Sequence, residues 1–288
     1  MPVTLEYDPS NGALYHPERR DTLFEQGRTY SIPQLALEAA RLAYYRAAES
    51  PAERVRLAEA LGRVGFSELV LFSDPKRGVA AFAAARTDGT TLLSFRGTQP
   101  DNHKNLITDV RANLVAWPES GGSVHDGFAS AARALKPQIV DWIERVKPDG
   151  SKLFLTGHSL GAAMATLAAT IWRPAWLVTI GSPRVGDAAF VATVAADHTV
   201  RVVDCCDAVT EVPPEFAGYR HVADATYLTR DADIVERPEP SFVTADRLQA
   251  RIDYATLYAW RVTKNVPVRD LADHAPINYA RALFGTDT

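Results

Sequence analysis

The chain has 288 residues, of which 47% are hydrophobic, so it is long enough to bury a full-sized core in one large domain or at most two. Its charges are mixed and its formal net charge is -4, which argues against nucleic acid as a partner and gives little attraction to an anionic membrane surface. No stretch approaches the roughly 20 apolar residues that a membrane-spanning helix needs, so we expect no stable membrane insertion.

The N-terminal residues and the cysteines indicate the cellular compartment. The first residues show no basic segment followed by an apolar stretch, so the sequence predicts no signal peptide. The two cysteines, Cys205 and Cys206, are adjacent and cannot staple distant loops together. We interpret them as small apolar residues at the end of a buried strand and expect a reducing, cytoplasmic environment.

The N-terminal quarter of the chain is predicted to be an irregular arm followed by two helices. Residues 1–30 are rich in Pro, Gly, Asp and Arg. A helical spacing of apolar residues over 33–48 predicts the first helix. The second helix is predicted to begin after Ser50, with Pro at its first position and Glu53 completing a capping box.

The rest of the chain alternates between strand and helix patterns. Apolar runs at 79–86 and 90–96 are joined by Asp88-Gly89, which is a strong hairpin signal. From there the pattern predicts helices at 127–146, 160–172 and 187–196 and strands at 153–156, 176–180 and 199–204. Continuous apolar strands between helices indicate an α/β fold whose mostly parallel sheet is covered by helices on both faces.

One further helix is predicted after the Pro-rich segment that follows residue 206. It covers roughly 245–262, and Leu248, Ile252 and Ala255 share an apolar face.

A motif for nucleophilic catalysis lies between a predicted strand and a predicted helix. Residues 157–161 read Gly-His-Ser-Leu-Gly and match G-x-S-x-G. The tight strand-to-helix turn would expose the Ser159 hydroxyl at a helix N-terminus, which favours negative charge. We therefore predict that Ser159 is a nucleophile rather than only a helix N-cap, and that His158 packs away from it.

A serine nucleophile needs a histidine as base and a carboxylate to orient that histidine, in the chain order Ser, Asp or Glu, His. His198 begins a predicted strand, His221 lies on or beside one, and His274 lies in a predicted loop, where catalytic groups are usually found. The carboxylate is either Asp204 or Asp207, because both follow the apolar residues 199–203 of the predicted strand; the spacing favours Asp207 and leaves Asp204 open.

An oxyanion hole needs two backbone N–H donors. The N–H of Leu160, directly after the nucleophile, is the first candidate. Residues 95–98 (Phe-Arg-Gly-Thr) end a predicted strand, and Thr98 can offer both its N–H and its hydroxyl. Gly97 permits the close backbone path that such a loop requires.

Taken together, these segments resemble the lipase class 3 family, the fungal-lipase-like α/β hydrolases. The segments that carry the resemblance occur in the family's order over roughly residues 80–280. They are Phe95 to Thr98, Val124 to Phe128, Gly157 to Ala163, Gly181 to Gly186, Asp207 to Pro214, and Asp273-His274 with Tyr279. The chain departs from the family pattern at Ala162, where a second glycine is usual.

The resemblance implies the α/β-hydrolase fold and a triad of Ser159, Asp207 and His274, with Thr98 and Leu160 in the oxyanion hole. It also implies that Asp109 supports the Thr98 hydroxyl, although Asp109 could equally be a helix-surface carboxylate. We expect residues 1–75 to form an arm and helices packed on the core, and residues 76–288 to form the catalytic core of a single domain. We expect no metal and no other cofactor, because the histidines lack ligand spacing.

The implied activity is hydrolysis of carboxylic esters or acylglycerols. Phospholipase or acyltransferase activity with the same triad, and a catalytically inactive lipase-like interaction protein, are the alternatives. In similar lipases a lid follows the oxyanion residue; here it would be Gln99 to about Val110, whose apolar face is modest. We therefore expect short to medium acyl chains, weak interfacial activation, and at most transient contact with lipid surfaces through this lid.

Overall fold

The structure is a computed structural model that describes residues 5–97, 113–146, 152–258, 260–261 and 263–285. The α-helices within these ranges are α1 (Asn11–Tyr15), α2 (Ile32–Leu42), α3 (Pro51–Gly62), α4 (Asp126–Val146), α5 (Leu160–Trp172), α6 (Ala188–Val191), α7 (Pro240–Leu257), α8 (Arg269–Ala272) and α9 (Pro276–Gly285). The strands are β1 (Val70–Asp74), β2 (Val79–Ala85), β3 (Thr91–Phe95), β4 (Leu114–Ala116), β5 (Ser123–His125), β6 (Leu153–His158), β7 (Trp176–Ile180), β8 (His198–Asp204), β9 (Ala225–Leu228) and β10 (Ile234–Glu236).

Eight strands form one mixed sheet in the order β1-β2-β3-β6-β7-β8-β9-β10. The central strands from β3 to β9 run parallel, and β1, β2 and β10 are antiparallel additions at the edges. Because parallel strands end at the same edge, Phe95 lies opposite Gly157, and His158 lies opposite Ile180. The loops that follow β3, β6 and β7 therefore begin side by side, and the predicted α/β-hydrolase architecture is confirmed.

Helices cover both faces of the sheet. On one face α2 packs against β6 and against α9, and Leu37, Ala39 and Ala40 on α2 are fully buried. On the other face α4 and α5 pack together over β1, β3 and β6. The small side chains of α2 and α5 let these helices approach the sheet closely, which buries the apolar strands on both faces.

The N-terminal arm is tied to the C-terminal helices by hydrogen bonds. The Tyr7 hydroxyl donates to Asp273 at 2.7 Å, and the Asp8 N–H donates to the Asn278 amide oxygen at 2.9 Å. Within α2 the buried Arg41 guanidinium pairs with Glu38 at 2.6 Å. The contacts of Tyr7 and Asp8 fix the arm against the end of the chain that carries His274.

Most predicted elements are confirmed, including the β2–β3 hairpin with Gly89 at φ 85° and the limits of α5 and β7. The sequence prediction assigned no strand to β1, which begins at Val70, inside the segment assigned to the N-terminal helices. The predicted capping box of α3 is only half formed: Ser50 accepts from the Glu53 N–H, but the Glu53 carboxylate pairs with Arg56 at 3.5 Å instead of the cap.

The predicted packing face of α7 is wrong. Leu248 and Ile252 are 59% and 51% exposed, whereas Ala250 and Tyr254 are buried on the opposite side. The Tyr254 hydroxyl donates to the Val266 carbonyl at 2.6 Å, so this face combines apolar contact with satisfied polar groups. A periodicity analysis that scores only aliphatic residues therefore selects the solvent face.

Among the described residues, no helix combines the length and the apolar character that a membrane crossing requires.

Candidate active site

Ser159 lies in a strained turn between β6 and α5. Its backbone has φ 60° and ψ -126°, a conformation that L-residues rarely adopt. A Cβ atom on Gly157 would lie 2.3 Å from the Gly161 backbone, and one on Gly161 would lie 2.1 Å from the Phe95 carbonyl oxygen. The two glycines of the G-x-S-x-G motif are thus required because three backbone segments meet at the turn.

The turn holds the Ser159 side chain in a buried position at the end of the sheet. Its N–H donates to the Ile180 carbonyl at 3.0 Å, which ties the turn to β7. Its Oγ has no hydrogen-bond partner among the described residues. The N–H of Leu160 begins α5 and has no acceptor within that helix, so it is available to a developing oxyanion.

Asp207 and His274 meet although 67 residues separate them. The distance from His274 Nδ1 to Asp207 Oδ2 is 2.8 Å, and both side chains are buried. Asp207 Oδ1 accepts from the Val209 N–H at 2.9 Å, which fixes the orientation of the carboxylate. The ring nitrogen that faces Asp207 carries a proton when it donates to this carboxylate, and the base site of the neutral ring is then Nε2.

Tyr279 is a second donor to the same carboxylate oxygen. Tyr279 lies on α9, and its hydroxyl donates to Asp207 Oδ2 at a distance of 2.5 Å. Burial, reinforced by the charges of Asp207 and Asp204, raises the pKa of Tyr279 well above its ordinary value, so the phenol keeps its proton. Asp207 is therefore held by three protein donors, which come from His274, Tyr279 and the Val209 N–H.

His158 supports His274 instead of acting as a base. Its ring lies against the His274 ring with centroids 4.4 Å apart. Its Nε2 is 2.9 Å from the His274 carbonyl oxygen and donates to it, and its Nδ1 is 2.7 Å from the Tyr44 hydroxyl. These two contacts fix the ring against the backbone of His274.

Two glycines outside the motif also lie against the site. A Cβ on Gly97 would lie 2.0 Å from the Tyr44 hydroxyl and 2.8 Å from the His158 carbonyl oxygen, so the loop after β3 starts directly beside the Ser159 turn. Gly181 has φ 56°, and a Cβ there would lie 2.8 Å from Asp207 Oδ2 and 3.3 Å from His274 Nδ1.

Asp273 joins the two loops that carry Asp207 and His274. It is buried, accepts from the Cys206 N–H at 2.9 Å, and pairs with Arg269 at 3.0 Å. In the sequence, Asp273 is part of the family motif but has no predicted role of its own. The one sequence signal for such a role is that Asp273 directly precedes His274. The contact between Asp273 and Cys206 spans 67 residues, so it could not be predicted from local spacing.

The other candidates fall outside this arrangement. The Asp204 carboxylate accepts from the Cys205 N–H at 2.9 Å. The exposed His198 stacks on Trp176. His221 Nε2 donates to the Thr210 carbonyl at 2.9 Å, and burial together with two nearby arginines lowers the pKa of His221 to about 2. His221 is thus a neutral structural group.

His274 itself lies in the turn between α8 and α9, and not in the loop predicted after the last helix. The two short helices were not predicted because each is anchored by long-range contacts. Thr98, Asp109 and the predicted lid at Gln99 to Val110 lie outside the described residues, so their roles stay predictions, as does the contact between Ser159 and His274.

The environment of Asp204 gives a testable dependence of stability on pH. Burial, with the neighbouring Asp273 charge, raises the pKa of the Asp204 carboxyl well above its usual range. A carboxyl whose pKa is raised on folding contributes its full stability below the unfolded pKa of about 3.9. It loses that contribution as the pH rises through the folded-state pKa.

Asp204→Asn should therefore become more stable relative to the wild type as the pH rises above about 4, because asparagine reproduces the protonated form and cannot ionise. The difference in Tm between the two proteins, measured by calorimetry across the pH range, should grow and then level off. The exposed Asp231→Asn serves as the control and should follow the wild type. A constant difference for Asp204→Asn would show that folding does not raise the pKa of this carboxyl.

Part of the chain is similar to known lipases. Residues 92–217 match the family model described as lipase (class 3). A secreted mono- and diacylglycerol lipase 1 of Fusarium solani is 35% identical in an alignment of 169 residues that covers 53% of this chain and 48% of that protein. Phospholipase A(1) DAD1, chloroplastic, of Arabidopsis thaliana is 32% identical in an alignment of 150 residues that covers 42% of this chain and 33% of that protein.

A solved structure shows the same fold. A mutant form of MDLA from Penicillium cyclopium superimposes with a TM-score of 0.54 at 25% identity, covering 68% of this chain and 78% of that one. The chain spans about half the length of the first curated relatives it matches. Over residues 92–217, the chain is similar to the lipase (class 3) family.

Proposed function

We propose that this protein hydrolyses carboxylic esters of lipids through an acyl-enzyme intermediate, with Ser159 as the nucleophile, His274 as the base and Asp207 as the acid that orients it. The observation that carries the proposal is the 2.8 Å contact between His274 Nδ1 and Asp207 Oδ2. Support also comes from Ser159, whose backbone is strained to φ 60° at the end of β6 and which directly follows His158, the residue whose ring lies against that of His274.

In the acylation step, Ser159 Oγ attacks the ester carbonyl carbon and its proton passes to His274 Nε2. The imidazolium that forms is stabilised by Asp207, which is already fixed by Val209 and Tyr279 and needs no reorganisation. The carbonyl oxygen becomes an oxyanion that accepts from the Leu160 N–H and, as proposed from the sequence, from Thr98. The tetrahedral intermediate then collapses, His274 gives its proton to the departing alkoxide, and the acyl group stays on Ser159.

In the deacylation step, water takes the place of the alcohol. His274 removes a proton from the water, the hydroxide attacks the acyl carbon, and Ser159 leaves with the proton returned to it. An alcohol in place of water would give acyl transfer by the same steps. The acceptor is therefore determined by the access of water to Ser159 and not by the triad.

The substrates that we propose are esters of short to medium acyl chains, including mono- and diacylglycerols. Similarity to the Fusarium mono- and diacylglycerol lipase supports acylglycerols. The modest apolar character of Gln99 to Val110 supports only transient contact with a lipid surface. Hydrolysis of phospholipid esters is the second candidate, because part of the chain resembles a phospholipase A(1).

The proposal can be tested by measuring fatty acid release from acylglycerols and phosphatidylcholine side by side, together with a chain-length series of p-nitrophenyl esters. We expect the highest kcat/KM on short and medium chains, without a jump in rate at the critical micelle concentration. A preference for phosphatidylcholine would favour the second candidate, and a preference for long chains with a jump at the micelle threshold would contradict the proposed substrate class.

Covalent labelling by a fluorophosphonate separates an enzyme from an inactive relative. The wild type should label with one equivalent per chain, and Ser159→Ala should not label. The rate of ester hydrolysis by Ser159→Ala should be close to the uncatalysed rate, with only the residual acceleration that substrate binding provides. Ser182→Ala, which removes another buried serine hydroxyl, is the matched control and should label like the wild type. A folded wild type that does not label would exclude hydrolysis through Ser159.

A further inference from the structure

A cavity lies beside the segment that follows Asp207. Arg201 on β8 and Tyr227 on β9 are among the residues that line it. It has a volume of about 890 Å³, and residues from the first half of α7 also line it. Five arginines line it, and we call it the arginine cleft. They are Arg184, Arg201, Arg220, Arg237 and Arg247.

The arginine cleft contains fewer acids than arginines. Three carboxylates line it, and each pairs with one arginine. The pairs are Glu215 with Arg184 at 3.3 Å, Glu211 with Arg247 at 2.9 Å, and Asp224 with Arg237 at 3.2 Å. Within the part of the chain that the structure describes, Arg201 and Arg220 have no carboxylate within 4 Å, so the lining carries two cations without a paired anion.

The two innermost arginines are held by backbone oxygens. Arg201 Nε donates to the Ala223 carbonyl at 2.8 Å, and Arg184 donates to the Glu211 and Pro213 carbonyls at 2.5 and 3.2 Å. Arg184 is only 8% exposed, and its Nε has no hydrogen-bond partner among the described residues. Both guanidinium groups are thus fixed in position before any ligand arrives, which reduces the entropic cost of binding one.

Crowding of positive charge in the arginine cleft lowers the pKa of its basic groups. Burial, followed by the charge of Arg184, lowers the pKa of Arg201 to about 10. Burial and these two arginines keep His221 neutral. An anion placed among these groups would relieve their mutual repulsion.

We propose that the arginine cleft binds a phosphate monoester dianion, through Arg201 and Arg220, on a ligand that also carries an organic group. A dianion matches the two cations that have no paired carboxylate, and planar guanidinium groups bind phosphate oxygens through paired hydrogen bonds. The cavity volume falls within the range of organic ligand sites and exceeds what one inorganic ion would fill.

The arginine cleft lies next to the loop that carries Asp207, so a ligand bound in the cleft would contact that loop. Thr210 and Glu211 line the cleft three and four residues after Asp207, and the Thr210 hydroxyl donates to the Asp207 carbonyl at 2.8 Å. A bound dianion therefore braces the loop that carries the acid. Binding itself does not depend on ester hydrolysis, so Ser159→Ala should keep the site intact.

The test is calorimetric titration of the full chain with inorganic phosphate and with glycerol 3-phosphate, at constant ionic strength set with chloride. We expect saturable binding with a Kd at or below about 1 mM, tighter for the ester, in both the wild type and Ser159→Ala. Arg201→Gln and Arg220→Gln should each weaken binding by about tenfold, since each removes a charge-assisted contact. Arg54→Gln removes an equal charge from α3, which does not line the cleft, and should bind like the wild type.

A parallel arm identifies the source of the phosphate. Sedimentation with phosphatidylcholine vesicles containing phosphatidic acid, compared with vesicles lacking it, tests a lipid headgroup. Binding to these vesicles that is lost in Arg220→Gln assigns the site to a lipid, and binding of the soluble ester alone assigns it to a free metabolite. The proposal is overturned if neither probe binds the folded wild type, or if both arginine variants bind as tightly as Arg54→Gln does. Because Arg220 is exposed, its variant keeps the test valid should Arg201→Gln fail to fold.

Discussion

Replacing His274 with alanine is expected to lower kcat for ester hydrolysis by about 10⁴-fold or more, because members of a catalytic triad act as a unit. The ring is the group that Asp207 orients and that would remove the Ser159 proton. Without it the serine is a weak nucleophile, and only the residual effect of binding and of the oxyanion hole remains. Steady-state kinetics on a p-nitrophenyl ester with the folded variant provides the measurement.

His221→Gln is the matched control for this loss. Glutamine can keep the donor that His221 Nε2 gives to the Thr210 carbonyl, and the neutral state of His221 means that no charge is removed. We expect kcat to change by no more than severalfold, since the variant affects only the loop that follows Asp207. If His221→Gln were inactive while His274→Ala kept its rate, the base would be His221 and the proposed triad would be wrong.

Much of the fold could be predicted because local patterns and the final packing agree. The hairpin of β2 and β3, the helix α5 and the strand β7 each have an apolar pattern that matches their environment, so single-segment reasoning was sufficient. The α7 helix shows where it fails. Its core face is formed by Ala250, Tyr254 and the buried Asp246, whose carboxylate accepts from the Tyr227 hydroxyl at 2.9 Å. A search for the spacing of hydrophobic residues does not detect a buried carboxylate.

The candidate site divides in the same way. Ser159 could be identified because its motif encodes a local backbone geometry, which the φ of 60° and the contacts of Gly157 and Gly161 explain. The choice between Asp204 and Asp207 could not be made from spacing, because it depends on which carboxylate the chain brings to His274 after 67 further residues. The family resemblance favoured Asp207, and the geometry pairs that residue with the histidine.

Gly181 has no catalytic group, yet its replacement should be among the most damaging to activity. Gly181→Ala places a Cβ 2.8 Å from Asp207 Oδ2 and 3.0 Å from the Tyr279 hydroxyl, so the acid and its donor must both move. Because a displacement of about 1 Å in a catalytic group can cost about 10²-fold in rate, we expect kcat to fall at least that far. The positive φ adds a folding cost of about 1–2 kcal/mol.

Gly78→Ala separates the two effects. Gly78 has φ 67°, close to the 56° of Gly181, but a Cβ there meets nothing within 4 Å. It should therefore lose a similar free energy of unfolding, measured by denaturant titration, and keep its kcat. Equal losses of activity in the two variants would mean that Gly181 matters only through its backbone conformation. A loss confined to Gly181→Ala would show that activity requires the Asp207 carboxylate to keep its position. That position lies so close to the Gly181 backbone, directly after β7, that no space is left for a methyl group.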